Sequence, residues 1–366
     1  MSIQGADRPG APLFDDAARW YDAALVVSYG GPEGPDHVLA FLENAARGRR
    51  VPRRRLLEVA EHYHQVGGVS PINQQNRALV AALTAELAAR GQPLPVYLGN
   101  RNWHPFLEDT IRRMRDDGIR RAIVLVTSAF SCYSGCRQYR EDVLRAREAV
   151  GPGAPEFDKL RVFFNHPGFV AAKAVLLEAT LARVPPDRRE CAQVVFTGHS
   201  VPVAMAQRSE YEAQLQEAAS LVAAAVGVRR WSVAYQSRSG PPSVPWLEPD
   251  IGDHLRELAA NGVTDVVLQP IGFLSDHMEV LHDLDIEAKA VAEELGLGFE
   301  RAPTAGTDPR FVGMLADLIA ERTTECPRRP ALGSLGPGHD ICPVDCCLEG
   351  PATGRSPDQR SSRLRQ

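Results

Sequence analysis

Two pairs of matching segments constrain the fold of this sequence more than any other feature. The segment Leu25–Pro32 (LVVSYGGP) resembles Val194–Pro202 (VVFTGHSVP), and Ile123–Phe130 (IVLVTSAF) resembles Val266–Phe273 (VVLQPIGF). Such apolar runs alternate with longer amphipathic segments, a pattern typical of parallel sheets covered by helices. The repeat predicts an α/β fold of two similar, doubly wound parallel-sheet halves. Because ligands bind beyond the carboxyl ends of such strands, we expect the four segments to meet at a central cleft.

Changes of composition along the chain predict its domain organisation. Eight short apolar runs are predicted to be strands, the fourth of which is Arg161–Phe164. The C-terminal tail lacks periodicity, is rich in Pro, Gly, Arg and Cys, and is expected to be disordered beyond Pro351. We predict an N-terminal extension over residues 1–22, a first half over 23–157, a second half over 158–323 and a cysteine-bearing tail over 324–366.

Charge and hydropathy exclude several classes of protein. The 366 residues carry a formal net charge of −5, whereas proteins that bind nucleic acids usually have a basic excess. No apolar run approaches the roughly 18 residues that a membrane-spanning helix needs. The N-terminus lacks the apolar core of a secretory signal. We therefore expect a cytoplasmic protein without a transmembrane segment and without a nucleic-acid partner.

His199 directly follows one of the predicted buried strands. An imidazole at the carboxyl end of a strand can bind a metal ion or move a proton. The alternative is a histidine that caps a turn through a hydrogen bond.

A row of acidic residues follows another predicted strand. If the segment is helical, Asp276, Glu279, Asp283 and Glu287 lie on one face, at positions i, i+3, i+7 and i+11. Neither Lys nor Arg occurs between Arg256 and Lys289, so these carboxylates have no cation on their own segment. Unpaired carboxylates in a row are unfavourable, which favours a path for a cation or for protons over the alternative, a solvated acidic helix.

Six arginines occur between Arg47 and Arg55, in an acidic chain. Such a short basic cluster suits small carboxylates or phosphates, although a solvated loop between helices has the same composition. Trp246 follows the predicted strand Trp231–Tyr235 and either packs in the core or against a flat apolar ligand.

The seven cysteines are unevenly distributed, and three of them lie between Cys342 and Cys347. In a large chain without a signal peptide, this clustering favours metal ligation over a disulfide framework. Inert thiols are the alternative.

Five of these segments together resemble the ferrochelatase family over about residues 23–320. The family is similar at Ser28–Pro32 (SYGGP), Gly67–Ile72 (GGVSPI), Gly198–Pro202 (GHSVP), Tyr235–Arg238 (YQSR) with Trp246–Leu247, and Gly272–Leu281 (GFLSDHMEVL). Any one motif is weak, but their number and order are specific. The resemblance implies the chelatase fold and the insertion of Fe²⁺, the metal substrate, into a porphyrin during haem biosynthesis.

The resemblance also implies roles for individual residues. His199 and Glu279 would face each other across the cleft as catalytic residues and metal ligands. Asp276, Asp283 and Glu287 would form a path for protons or metal. The aromatic wall would include Phe130. The implied porphyrin-binding residues are Tyr29, Arg47, Arg49, Ser70, Tyr139, Trp246, Phe273 and His277. Transient contacts with neighbouring enzymes of haem synthesis are compatible with this role.

Tyr29 bears on the choice of porphyrin. It resembles the Tyr that family members acting on coproporphyrin III place beside the metal, where the protoporphyrin IX type has Met. Coproporphyrin III has four propionates and protoporphyrin IX has two, so the basic cluster at Arg47 and Arg49 favours the former. His62 stands where a second Arg is common in the family. A protoporphyrin IX ferrochelatase is the alternative.

The cysteines resemble those of a subset of ferrochelatases that hold a [2Fe–2S] cluster. By this resemblance Cys136, Cys342, Cys346 and Cys347 are the ligands, with Cys326 as a substitute for one of the last two. Three other classes remain: a cobalt or nickel chelatase for an open tetrapyrrole, a non-catalytic iron–sulfur or haem-binding sensor, and a periplasmic-type solute-binding protein, which the missing signal peptide disfavours.

Overall fold

Two four-stranded parallel sheets form the framework of the protein. The computed structural model describes residues 13–48, 51–240 and 242–350. The strand order is β2-β1-β3-β4 in the first sheet and β6-β5-β7-β8 in the second, so the same topology occurs twice and confirms the repeat. The strands are β1 Ala23–Ser28, β2 Val96–Asn100, β3 Arg121–Val126, β4 Glu156–Lys159, β5 Gln193–His199, β6 Trp231–Gln236, β7 Asp265–Gln269 and β8 Gly298–Arg301.

Helices connect the strands and cover both faces of the sheets. Two segments are π-helical, namely Tyr133–Arg137 and Leu281–Ala288, and Pro35–His37 is a 3₁₀ turn. The α-helices are α1 Val38–Ala45, α2 Arg53–Gln65, α3 Ile72–Ala89, α4 Leu107–Asp116, α5 Gln138–Val150, α6 Pro167–Leu181, α7 Pro186–Arg189, α8 Val203–Ala206, α9 Tyr211–Val226, α10 Ile251–Ala260, α11 Met278–Val280, α12 Lys289–Glu294 and α13 Pro309–Thr323.

One apolar core joins the two halves. Val26 of β1 and Phe196 of β5 belong to the same cluster of buried side chains, together with Leu83 of α3, Phe169 of α6 and Phe311 of α13. Strands β1 and β7 are buried along their whole length, as expected for parallel strands with helices on both faces. The two sheets are thus held in a fixed relation by the helices packed between them.

The predicted fourth strand, Arg161–Phe164, is wrong. The fourth strand is Glu156–Lys159, which pairs with β3 in the register Arg121 to Glu156. It is an edge strand, where charged residues are common and apolar periodicity is weak. The apolar run Val162–Phe164 leaves the sheet and is buried instead.

The predicted division of the chain at residues 157 and 323 stays a prediction. The first boundary falls within β4, and the second coincides with the last residue of α13. The segment expected to be disordered, from Pro351 onward, lies outside the described residues.

The strand order places a crevice at the carboxyl end of each sheet. Next to β1 and next to β5 the order of strands reverses, and ligands of doubly wound sheets bind at such a point. In the second sheet the loop after β7 lies directly on the end of β5. A Cβ atom on Gly272 would be 2.9 Å from the Cα atom of Gly198, so only glycine permits this approach.

Candidate active site

The centre of the cleft holds an imidazole and a carboxylate that face each other. His199 ends β5, Glu279 lies in α11, and His199 Nε2 is 3.6 Å from Glu279 Oε2. Both side chains remain accessible, with 33% and 44% of their surface exposed. The Nδ1 atom of His199 is hydrogen-bonded to the carbonyl oxygen of Ser200, which fixes the ring and turns Nε2 toward Glu279.

The two groups shift each other's protonation equilibria. Desolvation disfavours both charged forms and is the largest single effect, but the attraction between the groups, together with the smaller contributions of their neighbours, exceeds it. The pKa of His199 therefore lies above its ordinary value of 6.5, and the pKa of Glu279 falls to about 2. Glu279 is thus a carboxylate at neutral pH, and His199 keeps a proton to higher pH than a free histidine.

Two neighbours hold Glu279 in place. His277 Nδ1 accepts a hydrogen bond from the Glu279 amide at 3.2 Å and caps α11. Gln236 Nε2 donates to the Glu279 carbonyl oxygen at 2.6 Å. Burial, together with the charge of nearby His199, lowers the pKa of His277 despite the opposing effect of Glu279, so this ring is neutral. His277 also packs on Phe273, with ring centroids 5.2 Å apart.

A second polar group lies farther along the same helical segment. His282 Nδ1 is 3.6 Å from Asp283 Oδ1 and 3.8 Å from Glu287 Oε1, and the three side chains are close enough to hold one metal ion. Asp283 also accepts a hydrogen bond from the Ser237 hydroxyl. The ring of His282 stacks on that of His62 from α2, with centroids 4.2 Å apart.

The predicted row of four unpaired carboxylates on one helical face is wrong for Asp276. This residue precedes α11, and its carboxylate pairs with Arg301 of β8 at 3.1 Å. Arg301 also binds Asp285 at 2.6 Å. Arg301 lies in a strand that is distant in sequence, so the sequence of the acidic segment alone does not indicate this ion pair. The π-helical geometry after Leu281 also differs from the α-helical spacing assumed.

Aromatic residues and one arginine of the first half face the same cleft. Tyr29 follows β1 and is 37% exposed, whereas Tyr139 of α5 is buried. The guanidinium carbon of Arg101 lies 5.8 Å from the Tyr29 ring centre and 4.4 Å from the Tyr139 ring centre. Arg101 is ion-paired with Asp142, so the pair as a whole carries no net charge.

Sequence analysis missed Arg101 and Tyr63. Arg101 directly follows β2 at the carboxyl edge of its sheet, and the strand-end rule that identified His199 would have found it. Tyr63 is a buried residue of α2, and only the tertiary structure reveals its place. Burial raises the pKa of Tyr63 well above its ordinary value, and the nearby Tyr29, Glu279 and Asp283 raise it further.

Three other predicted porphyrin-binding residues, Arg47, Ser70 and Trp246, lie in loops of the two halves. Arg47 is exposed and donates a hydrogen bond to Asn44 Oδ1 at 2.6 Å. Ser70 is buried against Gly31, where a Cβ atom would lie 2.7 Å from its Oγ. Trp246 is half-buried and pairs through its backbone with Pro202, just after β5. Arg49 lies outside the described residues.

The prediction that Phe130 forms a wall of the cleft is wrong. Its side chain is 1% exposed and packs on Phe164, Phe169 and Tyr211 in the shared core. Phe130 follows its strand by several residues, and the chain has by then turned inward toward the helices.

Four cysteines converge between the π-helical turn after β3 and the C-terminal tail. This thiol group consists of Cys136, Cys342, Cys346 and Cys347, all of them free. Interaction with the neighbouring Cys342 thiol raises the pKa of Cys136, and the Cys347 thiol opposes this shift; the sulfur atoms of Cys346 and Cys347 are 3.5 Å apart. Bonds from Cys136 and Cys346 lower the pKa of Cys342. Cys326 is exposed, and its amide binds the carbonyl of Asp16.

Comparisons with known structures define the class of protein. SirB of Bacillus subtilis, solved with Fe³⁺, superposes with a TM-score of 0.51 at 14% identity and covers 83% of this chain and 96% of its own. DR2241 of Deinococcus radiodurans, described as similar in structure to chelatases, gives 0.51 at 15% identity over 88% of this chain and 57% of its own. The fold is that of the chelatases.

Comparisons of sequence define the family within this class. The model of the ferrochelatase family matches residues 21–323, and the chain belongs to that family. It is 54% identical to a ferrochelatase of Rhodopirellula baltica over 90% of this chain and 94% of the relative. It is 53% identical to a coproporphyrin III ferrochelatase of Streptomyces griseus, over 89% and 93%. Among the described residues, no helix has the length and apolar character that a membrane span requires.

The mutual pKa shifts of His199 and Glu279 predict a specific change on neutralising the carboxylate. Glu279→Gln should lower the pKa of His199, because burial then acts without the opposing attraction. The His199 ring resonances followed by NMR across a pH titration measure this value. The matched control is Glu287→Gln, which neutralises a carboxylate farther along the segment and should leave the value nearly unchanged. Equal shifts in both variants would contradict a direct His199–Glu279 interaction.

Proposed function

We propose that this ferrochelatase inserts Fe²⁺ into coproporphyrin III, with His199 and Glu279 as catalytic residues and metal ligands. The observation that carries the proposal is the 3.6 Å approach of their side chains at the carboxyl edge of the second sheet. A neutral imidazole and a carboxylate are both suitable ligands for Fe²⁺. Relatives named coproporphyrin III ferrochelatases, 53% and 52% identical in Streptomyces griseus and Mycolicibacterium smegmatis, support the choice of substrate.

The chemistry of metallation explains why both groups are needed. Insertion of Fe²⁺ removes two pyrrole protons, so the site needs proton acceptors beside the macrocycle. When His199 is neutral, its proton is on Nδ1, which donates to the Ser200 carbonyl oxygen, so the free Nε2 atom can accept a pyrrole proton and form the imidazolium that Glu279 stabilises. The Glu279 carboxylate takes a second proton or ligates the metal. A distorted macrocycle, with its nitrogen lone pairs exposed, fits this geometry.

We infer that protons leave, or iron arrives, along the helical segment that follows Glu279. Asp283 and Glu287 face His282 there, and carboxylate oxygens with imidazole nitrogen suit a divalent transition metal. Asp276 is retained as part of this path, although its carboxylate is paired with Arg301. A solvated acidic helix would not require His282, Asp283 and Glu287 to lie so close together.

We propose that the first half holds the propionates. Arg47 supplies positive charge after α1, and Arg49 is included from the sequence, while Ser70 and Tyr139 supply hydroxyl groups and Tyr29 provides an oxygen near the metal. Phe273, His277 and Trp246 contact the macrocycle from the second half. His62 replaces a second arginine of the family, and its stack on His282 leaves it pointing toward the metal path rather than the propionates.

Location, partners and domain boundaries stay predictions of the sequence. We propose a cytoplasmic enzyme whose partners are the porphyrin and ferrous iron. Transient contacts with neighbouring enzymes of haem synthesis are part of the same proposal.

The substrate proposal predicts a preference that can be measured. Coproporphyrin III should have a kcat/KM roughly one to three orders of magnitude above that of protoporphyrin IX. Each additional propionate held by an arginine contributes about 1.5–3 kcal/mol when buried, and exposure reduces this. Steady-state kinetics under anaerobic conditions, at two salt concentrations, give the ratio.

Two arginine variants test whether Arg47 causes the preference for coproporphyrin III. Arg47→Ala should reduce the ratio of the kcat/KM values for the two porphyrins. Arg54→Ala should leave this ratio unchanged, because the charge of Arg54 is paired with Glu58 on α2. Equal or better use of protoporphyrin IX by the unmodified enzyme would contradict the substrate assignment while leaving iron insertion intact.

We propose that the thiol group holds a [2Fe–2S] cluster. The donor set fits, because four free sulfur atoms converge and thiolates are the usual ligands of such clusters. A cluster there would link the tail to the π-helical turn and so stabilise the end of β3; Arg137 already binds the carbonyls of Val344 and Cys346. A non-catalytic iron–sulfur sensor would retain this group but would not require the His199–Glu279 pair.

Purified protein kept from air should therefore be red-brown and contain iron and sulfide in equal amounts. Cys136→Ser should remove the visible absorption, because it removes the ligand that the fold itself provides. Cys326→Ser is the matched control and should keep the colour, since this exposed thiol lies apart from the group. A protein that remains colourless after reconstitution with iron and sulfide would leave the four cysteines as inert thiols.

A further inference from the structure

Lys159, the last residue of β4, is buried without an ionic partner. The residue is only 8% exposed, and its Nζ atom donates a hydrogen bond to the carbonyl oxygen of Leu160 at 2.7 Å. Within the described ranges no carboxylate forms an ion pair with it. A buried ammonium is costly unless an anion compensates its charge.

The structure places thiols where such an anion is needed. Lys159 and Cys136 line the same small cavity at the end of the first sheet. Arg161 also lines it, but its charge is balanced by Glu321, which it binds through two hydrogen bonds of 2.8 and 2.9 Å. Buried Arg140 adds a second positive charge nearby, and the ammonium group of Lys159 has no carboxylate partner among the described residues. Neutral thiols would leave it uncompensated, whereas thiolates that hold a metal group would not.

We propose that Lys159 is the fixed counter-charge of the cluster at the thiol group and raises its reduction potential. The proposal rests on the cluster proposed above and assigns a role to a residue outside its ligands. A [2Fe–2S] group with four thiolates has a net negative charge, and uptake of one electron adds another. A cation fixed beside Cys136 stabilises the reduced form more than the oxidised form, because the attraction grows with the charge.

The test compares Lys159→Met with Lys159→Arg in protein that carries its cluster. Dithionite supplies the electron, and the visible absorption of the cluster is followed at controlled potentials. Lys159→Met should make reduction about tenfold less favourable, a negative shift of about 59 mV for a one-electron couple. Lys159→Arg, which keeps the charge, should remain close to the unmodified protein. Lys289→Met, at an exposed lysine near Glu293, controls for the loss of one positive charge at the surface.

A second measurement separates charge compensation from packing. In cluster-free Cys136→Ser protein, Lys159→Met should leave the thermal midpoint unchanged or raise it, since a buried unpaired charge has been removed. In the protein with its cluster, the same substitution should lower the midpoint. Equal losses in both backgrounds, or a potential unmoved by Lys159→Met, would overturn the role of Lys159. If the unmodified protein holds no cluster at all, the cluster proposal itself fails.

Discussion

The backbone contact between Gly198 and Gly272 determines where the chemistry of this protein lies. Because neither residue has a side chain, the loop after β7 packs directly against the carboxyl end of β5. The Gly272 amide donates a hydrogen bond to the Thr197 carbonyl oxygen at 3.0 Å. His199 follows immediately on one side of this contact. Glu279 follows on the other, at the start of the helical segment. A side chain at Gly272 would clash with the Gly198 backbone and move the loop that leads to Glu279 away from β5.

The cleft is nonetheless a product of both halves. Met278, next to Glu279, packs in a separate apolar cluster with Phe41 and Tyr63 of the first half. Gln75 of α3 binds the amide of Asp276 at 2.8 Å. These contacts fix the angle at which the helical segment leaves the second sheet. The proposed iron site of the second half and the proposed porphyrin-binding residues of the first half are therefore positioned by the same interface.

Much of the fold could be predicted from the sequence because it is repeated. The apolar runs at β1 and β5 have the composition of buried strands and are followed by similar turns, and so do those at β3 and β7. The sequence therefore predicts that β1 corresponds to β5, and β3 to β7, in two copies of one unit. The edge strand β4 could not be predicted, because its charged residues lack the apolar pattern of a buried strand. The neighbouring run from Val162 has that pattern, although it is not in a sheet. Periodicity reports burial, and Phe163 is buried without being in a sheet.

The candidate site was predictable where function depends on position along one strand or segment, as for His199. It was less so where partners come from distant segments. Arg301 pairs with Asp276 from another strand, and Arg101 reaches Tyr139 from the end of β2. The convergence of Cys136 with the tail followed from a family resemblance, since nothing in the spacing of the cysteines implies that the tail returns to the first sheet.

The most direct test of the central claim is the rate of anaerobic Fe²⁺ insertion by His199→Ala, followed through the Soret band. Removal of the base and ligand at the end of β5 should lower the rate by about 10²–10⁴-fold while porphyrin binding persists. His64→Ala, at an exposed histidine of α2, should keep the unmodified rate. Turnover near that of the unmodified enzyme in His199→Ala would contradict the assignment of the metal site.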